Sequence, residues 1–305
     1  MSAILTGIIP VAPTIFHDDE SLDLDGQRRV VDFLVDSKVD ALCILANYSE
    51  QFSLEDDERR RVIDATLEQA AGRVPVMVTT SHYSARVAAR RTREAAEAGA
   101  RLAMLMPPFF GATMSVGEDL VLDYFATVAE QSAIDIMVQD APLSTTPLSV
   151  ALLARLATEI PQVKYVKVEV PRAAAKIRAL RTIAGADLPG VFDGEEGVTL
   201  IPDLHAGAIG TMASCTIPDV LGEVVRRFGS GDIDGATRAW NAVLPLIHFE
   251  NRQCGLQAAK ALLKEGGVIA SDRVRAPLAP LPASTRAELL ALADRARASV
   301  LGWAR

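Results

Sequence analysis

Short apolar runs alternate along this chain with segments that have the residue pattern of helices, and this alternation constrains the fold most strongly. Apolar runs of this length are typical of strands buried on both faces, and such strands joined by helices form parallel sheets. The predicted strands are residues 7–14, 40–46, 75–79, 102–107, 134–140, 163–170, 190–193 and 206–212. The eight units that they define predict an α/β fold, a (β/α)8 TIM barrel, which typically takes about 250 residues.

A doubly wound sheet is the alternative fold, and it usually has a glycine-rich phosphate turn after its first strand. Here the first predicted strand leads into Phe16-His17-Asp18-Asp19, which favours the barrel. After Ile217 the strand pattern stops, and residues 218–265 and 284–302 have the pattern of helices. We therefore predict that residues 1–217 form a barrel carrying the active site, and that residues 218–305 form a C-terminal helical region packed on the barrel.

The composition argues against several classes of partner. The 31 basic residues are scattered among 39 acidic ones and the formal net charge is −8, which argues against nucleic acid and anionic membrane surfaces as partners. The three cysteines are far apart and form no C-x-x-C pair, so they predict neither a zinc site nor a disulfide framework. No apolar run reaches the roughly 20 residues of a membrane helix, and no signal peptide is evident. We expect a cytoplasmic protein.

Lys167 is the most informative single residue because it lies inside the sixth predicted strand. Alternation along that strand places Lys167 and Glu169 on the same face. Lysine is rarely buried without a partner, and burial among valines favours the neutral amine. A neutral amine can attack a ketone and form a Schiff base. The alternative is a purely structural ion pair between Lys167 and Glu169.

Polar residues cluster where the predicted strands end, which is where barrel enzymes place their chemistry. The candidates at these ends are Asn47, Tyr48, Ser49, His82, Gln139, Lys167, Glu169, Gly194, Glu195, Glu196 and Thr211. Their positions after different strands predict one active site assembled from several strand ends.

Several motifs together resemble the dihydrodipicolinate synthase / N-acetylneuraminate lyase superfamily. They are the strand of Lys167, the turn before Glu50, the proline after Asp140, the run Gly194-Glu195-Glu196 and residues 250–267. The resemblance covers the whole chain. It implies a lysine-dependent aldolase, lyase or dehydratase of class I that acts on a small 2-oxo acid, without a metal or cofactor, and is usually a homotetramer. It also places Lys167 at the position of the Schiff-base lysine.

The departures from the superfamily pattern bear on the substrate. The usual Gly-Thr-Thr-Gly-Glu turn, which binds the substrate carboxylate, is replaced by Ala46-Asn47-Tyr48-Ser49-Glu50. Backbone N–H groups and the hydroxyls of Tyr48 or Ser49 could hold the carboxylate, with turn formation alone as the alternative. Gln139 replaces the proton-relay tyrosine, and no arginine follows Pro142. These changes argue against the synthase of lysine biosynthesis.

The same replacements resemble a subgroup of the superfamily that dehydrates 2-keto-3-deoxy sugar acids. Residues 138–142, 193–196 and 250–253 carry this resemblance. It implies conversion of 2-keto-3-deoxy-L-arabonate to 2-oxoglutarate semialdehyde in L-arabinose catabolism. Two alternatives stay open: an aldolase that cleaves 2-keto-3-deoxy or 4-hydroxy-2-oxo acids through the same imine, and a non-catalytic barrel that only binds sugar acids.

Within this interpretation each candidate residue has a role and an alternative. Glu169 is the candidate base, unless it only pairs with a cation, and Gln139 is expected to orient a water or hydroxyl. His82 could bind or protonate a substrate hydroxyl, although a lone histidine in a loop is more often a surface residue. The resemblance implies that Glu195 and Glu196 reach the hydroxyl end of the substrate, and Gly194 and Thr211 are further candidate substrate contacts. The two glutamates could instead only balance a helix dipole.

Overall fold

The computed structural model describes residues 3–110 and 116–304. Its strands are Gly7–Ile8 (β1), Leu42–Ile44 (β2), Val76–Thr79 (β3), Leu102–Leu105 (β4), Asp135–Asp140 (β5), Val163–Val168 (β6), Gly190–Asp193 (β7) and Gly210–Thr211 (β8). The sheet order is β1-β8-β7-β6-β5-β4-β3-β2, and the pairs from β3 to β8 are parallel. This is the strand order that the predicted (β/α)8 architecture requires.

Helices follow the strands in the described residues. They are Leu24–Asp36 (α1), Asp56–Ala70 (α2), Ala85–Ala98 (α3), Glu118–Glu130 (α4), Val150–Glu159 (α5), Ala173–Ala184 (α6), Leu200–His205 (α7), Pro218–Gly229 (α8), Ile233–Phe249 (α9), Gln257–Glu265 (α10) and Ala283–Arg295 (α11). A π-helical turn, Glu250–Cys254, follows α9. The helices predicted after residue 217 are therefore present, and no described helix has the length and apolarity needed to span a membrane.

Side-chain caps begin several of these helices. Asp23 accepts a hydrogen bond from the backbone N–H of Gly26 at 2.7 Å, and Ser149 accepts one from Leu152 at 3.0 Å. Each bond satisfies a backbone donor that has no partner within the helix. At the end of α3, Gly99 adopts a φ of 104°, which ends the helix without the steric cost that a side chain would bring.

Seven of the eight predicted strands are shorter in the structure than in the sequence pattern, the first and the last by the most residues, and only residues 190–193 match. The first was expected over residues 7–14, but β1 ends at Ile8 because Pro10 and Pro13 have no N–H to donate to a neighbouring strand. The last was expected from residue 206, but the N–H of Ala206 donates to Pro202 and Asp203 and closes α7. Only Gly210–Thr211 pairs as β8.

One compact unit contains Met77–Glu195 and Thr199–Met212, with the residues up to Thr6. Its strands are almost entirely buried, and Tyr165, Phe192 and Phe125 are among its fully buried side chains. In the register of this unit, Lys167 lies beside Gln139 on β5 and beside Phe192 on β7. The unit therefore contains the strand ends at which most of the candidate residues lie.

The second compact unit contains Gly7–Val76, Glu196–Val198 and Ala213–Arg305. Within it α1 packs on α2 and α8 packs on α9, while Val11 bridges to Cys43 and to Ser214 in parallel fashion. The predicted division of the chain at residue 217 stays a prediction.

Candidate active site

Lys167 and Glu169 form a buried ion pair at the end of β6. The Lys167 side chain is 4% exposed and that of Glu169 is 13% exposed. Glu169 follows the last residue of the strand, and its backbone N–H donates to the carbonyl of Asp140 at 3.0 Å, so its position is fixed by β5 as well as by β6. The two side chains lie on the same face, as alternation predicted, and they form the ion pair that the structural alternative also described. Such a pair places a proton acceptor directly at the lysine amine.

Gln139 adds a third group to this pair from the neighbouring strand. Its Nε2 donates to Glu169 Oε1 at 3.0 Å, and its side chain is almost completely buried. The other amide atom, Oε1, is buried and accepts no hydrogen bond from the described part of the chain. A buried acceptor of this kind costs free energy unless it is satisfied. Gln139 can therefore hold Glu169 with one atom and accept a hydrogen bond from a hydroxyl with the other.

Gly194 lies against both members of the ion pair. A Cβ at this position would stand 2.5 Å from Glu169 Cγ and 2.7 Å from Lys167 Cγ. Both atoms lie near the base of their side chains and cannot move aside without displacing the functional groups. The role of Gly194 in this geometry is to leave room for the pair.

Substituting alanine for Gly194 is expected to reduce kcat/KM by about 10²-fold, since a displacement near 1 Å in a reacting group costs that much. The Gly117→Ala variant is the matched control because a Cβ there meets nothing within 4 Å. Steady-state kinetics of both variants checks this expectation. Equal kinetics for the two variants would contradict it.

A buried carboxyl pair supports the end of β7. Thr211 donates its hydroxyl to Asp193 Oδ2 at 2.5 Å, and Thr199 donates to Asp203 Oδ2 at 2.7 Å. Burial and the charge of the adjacent Asp203 raise the pKa of Asp193 from 3.8 to about 7. Burial also raises the pKa of Asp203. The Thr211 hydroxyl is thus held by Asp193, and its predicted contact with substrate stays a prediction.

This carboxyl pair has a consequence for stability. In the folded state Asp193 keeps its proton up to about pH 7, whereas the unfolded chain releases it near its ordinary value. Between those pH values the folded state binds more protons, so this group's contribution to stability falls as pH rises from about 4 to 7. We expect Asp193→Asn to reduce the loss of Tm between pH 5 and pH 8. Asp187→Asn, at an exposed residue, is the control, and a wild-type pH dependence in Asp193→Asn would contradict the assignment.

The predicted glutamates after Gly194 differ in their surroundings. The backbone N–H of Glu195 donates a hydrogen bond to Asp193 and lowers the pKa of Asp193. The side chain of Glu195 is partly exposed. Glu196 has a φ of 55° and is 9% exposed. Its carboxylate accepts a hydrogen bond from the backbone N–H of Ser214. Their predicted contacts with the substrate stay predictions.

The turn after β2 is held by its own hydrogen bonds. Ser49 donates its hydroxyl to the carbonyl of Ala12 at 2.6 Å, and the Ser49 carbonyl accepts from Thr14 at 2.7 Å. Gln51 donates to Asn47 Oδ1 at 2.6 Å, while Tyr48 is partly exposed. The bonds of Asn47 and Ser49 fit the turn-forming alternative. Carboxylate binding by these residues stays a prediction.

His82 follows β3 and is exposed. Its Nδ1 accepts a hydrogen bond from the backbone N–H of Ser84 at 3.0 Å, and its carbonyl accepts one from the Tyr124 hydroxyl at 2.8 Å. These bonds involve Nδ1 and the backbone carbonyl of His82. Its contact with a substrate hydroxyl stays a prediction.

Three charged or titratable side chains with buried partners have no role predicted from the sequence. Lys176 on α6 pairs with Asp140 Oδ2 at 2.7 Å. Lys260 forms an ion pair with Glu50 in which both side chains are fully buried. Glu250 accepts from the Thr216 hydroxyl at 2.9 Å, and burial raises its pKa to about 7. The only signal in the sequence was a polar residue among apolar neighbours on a helix, as at Lys176 and Lys260.

Comparison with known proteins places this geometry in a family. The model of the dihydrodipicolinate synthetase family matches residues 4–296. An L-2-keto-3-deoxyarabonate dehydratase from Azospirillum brasilense is 51% identical over 98% of this chain and 96% of its own length. A 4-hydroxy-tetrahydrodipicolinate synthase from Thermomicrobium roseum is 30% identical over 89% of this chain and 88% of its own length.

Solved structures agree with these sequence matches. A putative dihydrodipicolinate synthetase from Pseudomonas aeruginosa has a TM-score of 0.90 at 27% identity, covering 96% of this chain and 100% of that one. The 4-hydroxy-tetrahydrodipicolinate synthase from Methylacidiphilum fumariolicum has a TM-score of 0.89 at 18% identity, covering 98% of both chains. The likeness confirms the predicted (β/α)8 fold class. The chain therefore belongs to the dihydrodipicolinate synthetase family, as its motifs predicted.

Proposed function

We propose that this protein is a class I dehydratase, a hydro-lyase, that converts 2-keto-3-deoxy-L-arabonate to 2-oxoglutarate semialdehyde through a Schiff base on Lys167. The observation that carries the proposal is the buried set of Lys167, Glu169 and Gln139. It occurs in a chain 51% identical to an L-2-keto-3-deoxyarabonate dehydratase. The absence of the relay tyrosine and the arginine of the synthases, noted above, supports the same assignment.

Imine formation is the first step of the proposed reaction. The Lys167 amine attacks the C2 ketone, and Glu169 accepts the proton that the ammonium must lose, because its carboxylate already pairs with that amine. Glu169 then returns that proton to the departing hydroxyl, so loss of water from the carbinolamine leaves a protonated imine at C2 and an ionised Glu169. The imine withdraws electrons from C3 and makes its protons acidic.

Elimination follows from the imine. Glu169 removes a C3 proton to give an enamine, and the electron pair then expels the C4 hydroxyl as water, with the proton returned from Glu169. Proton loss from C5 and protonation at C3 give the enol of the C5 aldehyde. Tautomerisation of this enol and hydrolysis of the imine release 2-oxoglutarate semialdehyde and free Lys167. The net change is the loss of one water molecule, and general acid–base help of this kind contributes about 10²–10⁴-fold per group.

Gln139 is proposed to align this elimination and not to transfer protons. Its Nε2 fixes the carboxylate of Glu169, and its buried Oε1 is the acceptor for a hydroxyl of the substrate. An amide does not exchange protons readily, so it can orient a hydroxyl without competing with Glu169 as a base. Asn47, Tyr48, Ser49, His82, Gly194, Glu195, Glu196 and Thr211 remain the proposed substrate contacts.

The test is to incubate the purified protein with 2-keto-3-deoxy-L-arabonate and to identify the product by mass spectrometry. Loss of one water is the expected result. Cleavage to pyruvate and a two-carbon aldehyde would make the protein an aldolase and would contradict the proposal. An unchanged ligand that still raises the Tm equally in wild type and Lys167→Ala would indicate a binding protein without turnover.

The proposal also includes a cytoplasmic location in sugar-acid catabolism and a homotetrameric assembly. Cys43, Cys215 and Cys254 are buried and form no disulfide among the described residues, which suits a reducing compartment. Light scattering coupled to size-exclusion chromatography tests the assembly. A single species with the mass of four chains is the expected result, and a monomer would contradict it.

A further inference from the structure

A second ion pair lies behind the Lys167–Glu169 pair, on the outer face of β5. Side chains alternate along a strand, so Gln139 and the next residue, Asp140, point to opposite faces. The Asp140 side chain is 5% exposed and pairs with Lys176 Nζ on α6 at 2.7 Å. The same Nζ donates to the carbonyl of Leu148 at 2.5 Å. This pair therefore ties the first turns of α6 to the end of β5.

The Asp140–Lys176 pair is connected to the proposed active site through the backbone of Glu169. The Asp140 carbonyl accepts the backbone N–H of Glu169 at 3.0 Å, and Glu169 stands on the short segment between the end of β6 and the start of α6. Arg172, which precedes α6, has a φ of 65°, so this segment makes a tight turn. Moving either Asp140 or α6 would therefore move Glu169.

The pair also acts on Glu169 by charge. Burial is the main cause that raises the pKa of Asp140; Lys176 lowers it, and the charge of Glu169 raises it again. Asp140 and Glu169 therefore carry like charges that interact, and Lys176 supplies the opposite charge beside Asp140. Among the described residues, Lys167 on β6 pairs with Glu169 directly, and Asp140 on β5 interacts with it by charge. Gln139 and Gly194, which also face it, are uncharged.

We propose that Asp140 and Lys176 are positioning residues for the reaction: together they hold Glu169 against Lys167 and balance the charge beside it. The inference rests on the function proposed above, in which Glu169 must be ionised to accept protons. The two members of the pair oppose each other electrostatically. Removing the charge of Asp140 and removing the charge of Lys176 must therefore shift the pH profile of kcat/KM in opposite directions.

The test compares the pH profile of kcat/KM in the wild type, Lys176→Met, Asp140→Asn and the double variant. In Lys176→Met the charge of Asp140 is no longer balanced, and we expect the acid limb to move to higher pH by about 0.5–1 unit, as for one partly screened charge. In Asp140→Asn the cation remains and the limb should move to lower pH. The double variant should return towards the wild-type midpoint. Lys164→Met, a lysine on β6 whose side chain points to the other face from Lys167, is the control.

The proposal would be overturned if the acid limb moved in the same direction in both single variants, or did not move in either. Loss of packing alone lowers the rate but does not move the acid limb in opposite directions. Trapping of pyruvate on Lys167 with borohydride across the same pH range gives a second readout. If the wild type does not turn over the pentonate, the proposed substrate is wrong, and the opposite displacements are then read from the trapping profile. No trapping at any pH would overturn both proposals.

Discussion

Lys167→Ala is expected to lower kcat by at least about 10⁴-fold with 2-keto-3-deoxy-L-arabonate, on the order of the loss when an enzyme's nucleophile is removed. The amine is the only group in the proposed reaction that becomes covalently bound to the substrate, and Glu169 and Gln139 cannot replace it. The loss should appear in kcat because no imine forms, and steady-state kinetics with a product assay measures it.

Two further variants separate the chemistry of Lys167 from its charge. Lys167→Arg keeps a cation beside Glu169 but provides no amine that forms a stable imine, so it should be as inactive as Lys167→Ala. Lys164→Ala removes a lysine from the same strand that is partly exposed and should keep nearly wild-type activity. Activity restored by Lys167→Arg would mean that the lysine acts only as a charge, as in the structural ion-pair alternative.

Lys260→Met is expected to lower the free energy of unfolding by about 3–5 kcal/mol, the range for removing one partner of a buried ion pair. Lys260 and Glu50 are both fully buried. Lys260 Nζ also donates to the Arg273 carbonyl at 2.8 Å, and the N–H of Arg275 donates to Glu50 Oε2 at 2.8 Å. Removing the ammonium leaves the Glu50 charge buried with a single remaining donor among these contacts. Chemical denaturation measures the effect.

The matched control lies on the same helix. Lys264 also forms an ion pair, with Asp272 at 2.7 Å, but its side chain is 41% exposed. Exposed pairs contribute little, so Lys264→Met should change the free energy of unfolding by less than about 1 kcal/mol. The double variant Glu50→Gln/Lys260→Met should recover part of the loss, because it removes the unpaired charge. Equal effects of the two single lysine variants would contradict the role given to burial.

The features that local patterns determine could be predicted from the sequence. The two-residue period of a strand placed Lys167 and Glu169 on one face, and the structure shows them paired. The strand Gly190–Asp193 was predicted with the bounds that the structure shows, because a glycine begins this short apolar run and an aspartate ends it. The family motifs then identified the lysine among 31 basic residues.

Features that depend on contacts distant in sequence could not be predicted in this way. Glu50 and Lys260 are 210 positions apart, and no local pattern relates them. The Asp140–Lys176 pair depends on how α6 packs against β6 and β7, which the strand pattern does not determine. The predicted first strand was too long because apolar composition continues through Val11, although the prolines around it cannot take part in a regular ladder.

Reductive trapping of the imine tests most directly whether Lys167 forms a Schiff base. The protein is incubated with pyruvate or 2-keto-3-deoxy-L-arabonate, reduced with sodium borohydride, digested and mapped by mass spectrometry. We expect one ligand per chain, attached to the peptide that contains Lys167, and no adduct in Lys167→Arg. Attachment to another lysine, or no attachment at saturating ligand, would show that Lys167 does not form the Schiff base.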